Sequence, residues 1–404
     1  MEDDDDMPAF PTAEPAARTR AGAAAGAIAL ALAAAPALAD TRFEVETVAP
    51  VLQSPWAIAF LPEGDRLLVT ERTGALKLVT VDGGEVAEIA GVPEVVAEGQ
   101  GGLLDVALHP DFPAEPWVYL TWSGADAEGR TATHVGRAPL DLDAMTLGEM
   151  EVLFVAGPAF PSSESNGHFG SRIAFADGFM FVGFGDRQFK NFGPDHIAQD
   201  LSSANGAVIR LTLDGEIPQD NPFVGTEGAE AAIWSYGHRN IQALTVHPET
   251  GALWVAEHGE AGGDEINISR PGGNFGWPLA GYGVDYRTGE QFSVGHDEIE
   301  DVIAPVFHWG PGREDNFPPS GMVFYQGEAF PEWQGRLLIG NLAHQYLGLF
   351  EVAGESVSGP ERLLEGQGWR IRDVAVGPAD GFVYAIADGA DAPLIRLAPS
   401  EGDG

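Results

Sequence analysis

One pattern returns six times along this chain and narrows its choice of fold more than any other feature: an apolar strand, a Pro/Gly/Asp turn, a second apolar strand, then polar residues. It is seen first in SPWAIAFLPEGDRLLVTERTGALKLV (54–79) and GLLDVALHPDFPAEPWVYLTWS (102–123). It returns in SRIAFADGFMFVGFGDR (171–187), ALTVHPETGALWVAEHG (243–259), SGMVFYQGEAFPEWQGRLLIGNL (320–342) and RDVAVGPADGFVYAIAD (372–388). No amphipathic helix of ordinary length interrupts the series. Successive copies begin about 50 to 80 residues apart, close to the length of one propeller blade plus an insertion. The expected fold is therefore all-β, a six-bladed β-propeller of four-stranded antiparallel blades. The 53 glycines and 29 prolines supply the turns this requires. A β-sandwich followed by a smaller domain is the competing architecture, but no Ser/Pro/Gly linker tract divides the chain.

The first 39 residues differ from the rest. Arg18 and Arg20 precede an Ala-rich apolar run, and Ala37-Leu38-Ala39 matches a signal-peptidase site. Residues 1–39 are expected to be a secretory signal peptide and 40–404 a single propeller domain, periplasmic or secreted, with no membrane span in the mature chain. Cysteine is absent, so export brings no disulfide. With 61 acidic against 21 basic residues, the net charge of −40 argues against nucleic acid and anionic membranes as partners. A monomer or a homodimer fits such a surface. Basic clusters are conspicuous against this background.

Four loop segments carry candidate chemistry. In NGHFGSR (166–172), His168 stands between glycines, where backbone can approach a flat ligand and an imidazole can reach it; a loop histidine bonded to a carbonyl is the alternative. SYGHRN (235–240) holds Arg239 and Asn240. RIRD (370–373) spaces Arg370 and Arg372 two apart, on one face of a strand, which suits either a polycarboxylate ligand or ordinary salt bridges. EHGEAGGDEIN (257–267) alternates carboxylates with glycines, which suits a hard cation such as calcium or a solvated acidic turn.

Taken together and in this order, EGQGGLLDVALHPDF (98–112), NGHFGSR, GFGDR, AQDLSSANG, SYGHRN, EHGEAGGDEIN, NFGWP, PSGMVFY and RIRDVAVGP resemble the soluble quinoprotein glucose and aldose sugar dehydrogenases. The resemblance spans residues 43–397 and is closest to the aldose sugar dehydrogenase branch. It implies a six-bladed propeller that uses pyrroloquinoline quinone (PQQ) and calcium to oxidise aldoses, passing electrons to an unknown acceptor. Gln100, Arg239, Asn240, Tyr286, Arg370 and Arg372 would then hold the cofactor. His168 would be the general base, Asp186 would orient it, and Arg239 would also stabilise developing charge. The carbonyls of Gly259 and Glu260 would ligate the catalytic calcium, while Glu265 and the Phe275 carbonyl would hold a second, structural one.

Two positions depart from the family pattern. Ala343 stands where a cofactor-contacting lysine is common, and Glu260 where a proline usually follows the glycine of the calcium loop. A non-catalytic exported propeller that binds carbohydrate or protein is the alternative function, and a calcium-dependent lactonase on a similar fold is a weaker third.

Overall fold

The protein is described from a computed structural model covering residues 43–314 and 316–400; residues 1–39, expected from the sequence to be a signal peptide, lie outside the described residues. These residues form six antiparallel sheets in a ring. Blade 1 runs from its inner strand outward as Pro55–Phe60, Arg66–Glu71, Ala75–Thr80 and Val86–Ile89. The inner strands of blades 2 to 6 are Leu103–Leu108, Ile173–Ala176, Ile241–Val246, Pro319–Phe324 and Ile371–Val376. Each of the six repeated sequence units supplies the first two strands of one blade. Blade 2 departs from four strands, because the two-residue strands Thr146–Leu147 and Phe160–Pro161 also pair with its third strand, Arg130–Asp141.

The core follows from strand alternation. Each second strand is buried on both faces, so successive residues enter different interblade layers. Leu68 joins the layer between blades 1 and 2, while its neighbours Leu67 and Val69 join the layer between blades 6 and 1. Phe181 likewise packs toward blade 4, and Met180 and Val182 pack toward blade 2. Six such clusters separate the six blades among the described residues. This is why the second strands, such as Leu253–Glu257 (LWVAE) and Val383–Ala387 (VYAIA), contain unbroken buried runs.

The ring is closed by its N-terminal segment. Phe43–Leu52 pairs antiparallel with Ala392–Pro399, the third strand of blade 6, and so becomes that blade's fourth strand. Val48, Ala49 and Leu52 enter the layer between blades 6 and 1. Among the described residues, no helix is long and apolar enough to cross a membrane.

Every inner strand starts at the same end of the ring, and the turn after every second strand returns there. Residues just before Ile173, Ile241 and Ile371 therefore meet residues just after Gly183, Glu257 and Ala387. This gathers the four sequence segments.

Candidate active site

His168 lies in the loop entering blade 3 and Asp186 in the turn after that blade's second strand. Nδ1 of His168 donates to Oδ1 of Asp186 at 2.7 Å. The other carboxylate oxygen accepts the Trp277 indole N–H at 2.8 Å, and the Gln188 backbone N–H reaches Oδ1 at 2.9 Å. Burial alone would raise the Asp186 pKa, but His168 and then Arg239 and His196 hold it below the usual carboxylate range. An ionised Asp186 can only accept, so the proton of neutral His168 sits on Nδ1 and leaves the Nε2 lone pair available. Burial, followed by the charge of Arg239, lowers the His168 pKa, with Asp186 opposing.

The loop is held by contacts its sequence does not advertise. His168 has a left-handed φ of +49°, and its N–H donates to Gln100 Oε1 at 2.9 Å. The buried Arg187 donates to the carbonyls of Gly167, Ser165 and Thr131 and lies 4.0 Å over the Phe169 ring. Gly170, beside which the sequence suggested ligand approach, and Gly185 both serve backbone packing. A Cβ on Gly170 would stand 2.6 Å from the backbone of Phe184 and Gly185, and one on Gly185 would stand 2.3 Å from the His168 carbonyl.

Arg239, at the entry to blade 4, is buried. Its backbone N–H and one guanidinium nitrogen bond Glu257 Oε2 and Glu260 Oε2, each at 2.6 Å, and another nitrogen bonds the His258 carbonyl at 3.2 Å. Its backbone carbonyl accepts the Asp186 N–H at 2.7 Å, joining the two halves of the site. Asn240 next to it is buried, bridges to Gly185, and accepts from Gln242 through Oδ1. Tyr286 is half-exposed under Arg313, within electrostatic reach of Arg239. Arg370 and Arg372 do point to the same side: both reach Oδ2 of Asp388, at 3.1 and 3.2 Å. Asp388 also feels Arg72, and these cations keep its pKa low against burial. Arg72 carried no sequence assignment; its place in the turn after a second strand was the available signal.

The calcium segment has two parts. The Gly259 N–H donates to Asp264, and the Glu260 carbonyl, expected as a ligand, accepts the Val284 N–H at 2.9 Å through one of its two lone pairs. The Glu260 side chain, at the position where the resemblance led to an expected proline, faces Arg239 and Lys190. Deeper, Glu265 and Phe275 line a small cavity with Glu257 and Tyr282. The Phe275 carbonyl and Glu265 Oε1 flank Nε2 of His296, at 3.2 and 3.8 Å. Burial, then Glu257 and Asp264, raises the Glu265 pKa well above the carboxylate range. A hard cation bound by these oxygens would offset that repulsion. Among the described residues, no three His, Cys, Asp or Glu side chains converge as a metal cluster. Ala343, at the expected lysine position, is exposed just beyond the second strand of blade 5.

A family model described as Glucose / Sorbosone dehydrogenase matches residues 52–396. The chain is 39% identical over 362 residues to aldose sugar dehydrogenase YliI of Escherichia coli (strain K12), covering 89% of this chain and 94% of that protein. The apo-form crystal structure of the soluble aldose sugar dehydrogenase from Escherichia coli superposes with a TM-score of 0.80 at 38% identity, covering 89% of this chain and all of that one. The PQQ-bound form of aldose sugar dehydrogenase from Streptomyces coelicolor superposes at 0.71 with 28% identity, over 89% and 98% of the two chains. The propeller, the loop convergence and these matches agree: the chain belongs to the glucose/sorbosone dehydrogenase family.

Proposed function

We propose that this protein is an exported aldose sugar dehydrogenase that oxidises the C1 hydroxyl of aldoses to lactones with PQQ and calcium. The carrying observation is the buried His168–Asp186 pair, with Nε2 of His168 unblocked beside the buried Arg239. A scaffold has no need of a base and a carboxylate that orients it.

The residues fit a planar tricarboxylate. Nε of Arg239 and Nε of Arg372 are buried without hydrogen-bond partners, so each offers a donor to an anionic ligand. Arg72 Nε is in the same condition. Gln100, Arg239, Asn240, Tyr286, Arg370 and Arg372 would hold the quinone. The Gly259 and Glu260 carbonyls would hold one calcium, and Glu265 with Phe275 a second. When bound, the calcium-activated quinone supplies the hydride-accepting centre.

His168 accepts the proton of the anomeric hydroxyl at Nε2 while C1 gives up its hydrogen as hydride and forms the lactone C=O. Asp186 stabilises the imidazolium formed and keeps the ring aimed. Arg239 offers positive charge where oxygen charge develops.

The test is titration of metal-stripped protein with PQQ and calcium, followed by dye reduction with glucose and other aldoses. Calcium-dependent, saturable turnover that disappears in His168→Ala supports the assignment. Absence of PQQ binding would favour the non-catalytic propeller.

A further inference from the structure

The sequence contains two lysines, Lys77 and Lys190. Lys77 is spent on blade 1, where it pairs with Glu88 at 2.6 Å and Glu71 at 3.8 Å. Lys190 stands at the mouth of the candidate active site, on the loop that follows Asp186. Its Nζ lies 3.5 Å from Glu260 Oε1, while Oε2 of the same carboxylate is held by the Arg239 guanidinium at 2.6 Å.

That carboxylate is already matched by Arg239 through a short, buried, charge-assisted bond. The longer contact to Lys190, whose side chain is 51% exposed, adds little stability. Two cations thus share the Glu260 carboxylate, and Arg239 also faces the ionised Asp186, so the charge of Arg239 is balanced without Lys190. The backbone around Lys190 is anchored: Phe189 lies edge-on to His196, and Phe192 stacks on Phe292 at 4.4 Å and meets Trp277 at 5.7 Å. His196 Nε2 donates to the Phe189 carbonyl at 2.9 Å. The loop is therefore fixed while the lysine side chain is loosely held. Its charge also reaches inward, helping to keep His168 and His196 weakly basic.

We propose that Lys190 is a ligand-contacting cation of this site, leaving Glu260 to take a carboxylate of a molecule bound beside Arg239. The inference rests on the sugar dehydrogenase reading above. Two molecules could offer that carboxylate: a uronic acid oxidised at C1, through its C6 carboxylate, or the quinone cofactor itself. Lys190 lies on the rim, outside the buried Arg239, a placement that suits the sugar.

The experiment compares wild type, Lys190→Met, Lys190→Arg and the control Lys77→Met. It measures PQQ affinity by quenching of tryptophan fluorescence, and kcat/KM for glucuronate and glucose, which differ at C6. A fall of about tenfold in the glucuronate-to-glucose ratio in Lys190→Met, restored in Lys190→Arg and absent in Lys77→Met, supports a sugar contact. A similar weakening of PQQ affinity with an unchanged ratio supports a cofactor contact. If wild type binds PQQ and turns over, but neither quantity moves by more than about twofold in Lys190→Met, the proposal is overturned. Wild type that neither binds PQQ nor turns over overturns the dehydrogenase reading and this inference together.

Discussion

His168 donates its Nδ1 proton to Asp186 across 2.7 Å, and both side chains are buried. Replacing the carboxylate in Asp186→Asn leaves the volume nearly unchanged but removes the acceptor that selects this tautomer. The expected loss is about 10²- to 10⁴-fold in kcat with little change in sugar KM. Steady-state kinetics beside a thermal melt would check this, and a variant retaining more than about a tenth of wild-type kcat would refute the orienting role.

The acid limb of the activity profile reports His168. From sequence alone, activity is expected to fall below roughly pH 6 to 7, near the free imidazole value. Burial and Arg239 lower the folded-state pKa, so the limb is now expected below about 6.5. The same shift makes the folded state resist protonation. Stability contributed by neutral His168 is present above the unfolded value and is lost as pH falls through it toward the lower folded pKa. A kcat/KM profile between pH 4 and 8 checks the first part, and a midpoint above about 7 would contradict it.

Trp277 steadies the pair from the opposite side, through the 2.8 Å bond from its indole N–H to Asp186. Trp277→Phe keeps most of the ring but leaves that oxygen with one donor fewer. The expected cost is about 1 kcal/mol, or roughly fivefold in kcat/KM. A pH profile separates this from general destabilisation: with Asp186 less well satisfied, the carboxylate holds its proton more readily, and a new acid limb emerges.

Much of the fold was legible because strand alternation is local. Two buried faces per blade impose continuous apolar runs, and six such units announce six blades. The ring closure was less visible. Phe43–Leu52 alternates like many strands, and its partner lies at the other end of the chain. The site divides in the same way. His168, Asp186 and Arg239 stand in recognisable segments, and the two-residue spacing of Arg370 and Arg372 anticipated their shared approach to Asp388. Trp277 and Arg72 reach the site through tertiary convergence, whereas Arg187 and Lys190 follow Asp186 closely in the chain, and the rarity of lysine was a signal in plain view. Glu260 could be recognised as a departure from the family, but its pairing with Arg239 depends on two turns in different parts of the chain.

Closure gives its own test. Removing residues 1–52 deletes the fourth strand of blade 6, exposes the edge of Ala392–Pro399 and strips Val48 and Leu52 from the layer between blades 6 and 1. The lost apolar burial alone amounts to about 3 to 6 kcal/mol, before the unpaired edge is counted. Denaturant unfolding should show a lower midpoint or aggregation relative to a chain starting at Asp40, which keeps Phe43–Leu52.

Glu265 is buried beside Glu257 and Asp264 with its carboxyl pushed well up, and only Asn267 opposes that shift. Without a cation, Glu265→Gln removes the like-charge repulsion and keeps an oxygen for Asn267, whose amide donates to Glu265 at 3.2 Å. The metal-stripped variant should therefore melt at or above the metal-stripped wild type. Calcium should reverse the order. Wild type gains stability in proportion to RT ln(1 + [Ca²⁺]/Kd), about 2.7 kcal/mol at a hundredfold excess over Kd, and the variant gains much less because one anionic ligand is lost. Paired melts with chelator and with calcium separate the possibilities. An equal calcium response in both proteins would remove Glu265 from the ligand set, and no response in either would leave its raised pKa as a consequence of burial and neighbouring carboxylates alone.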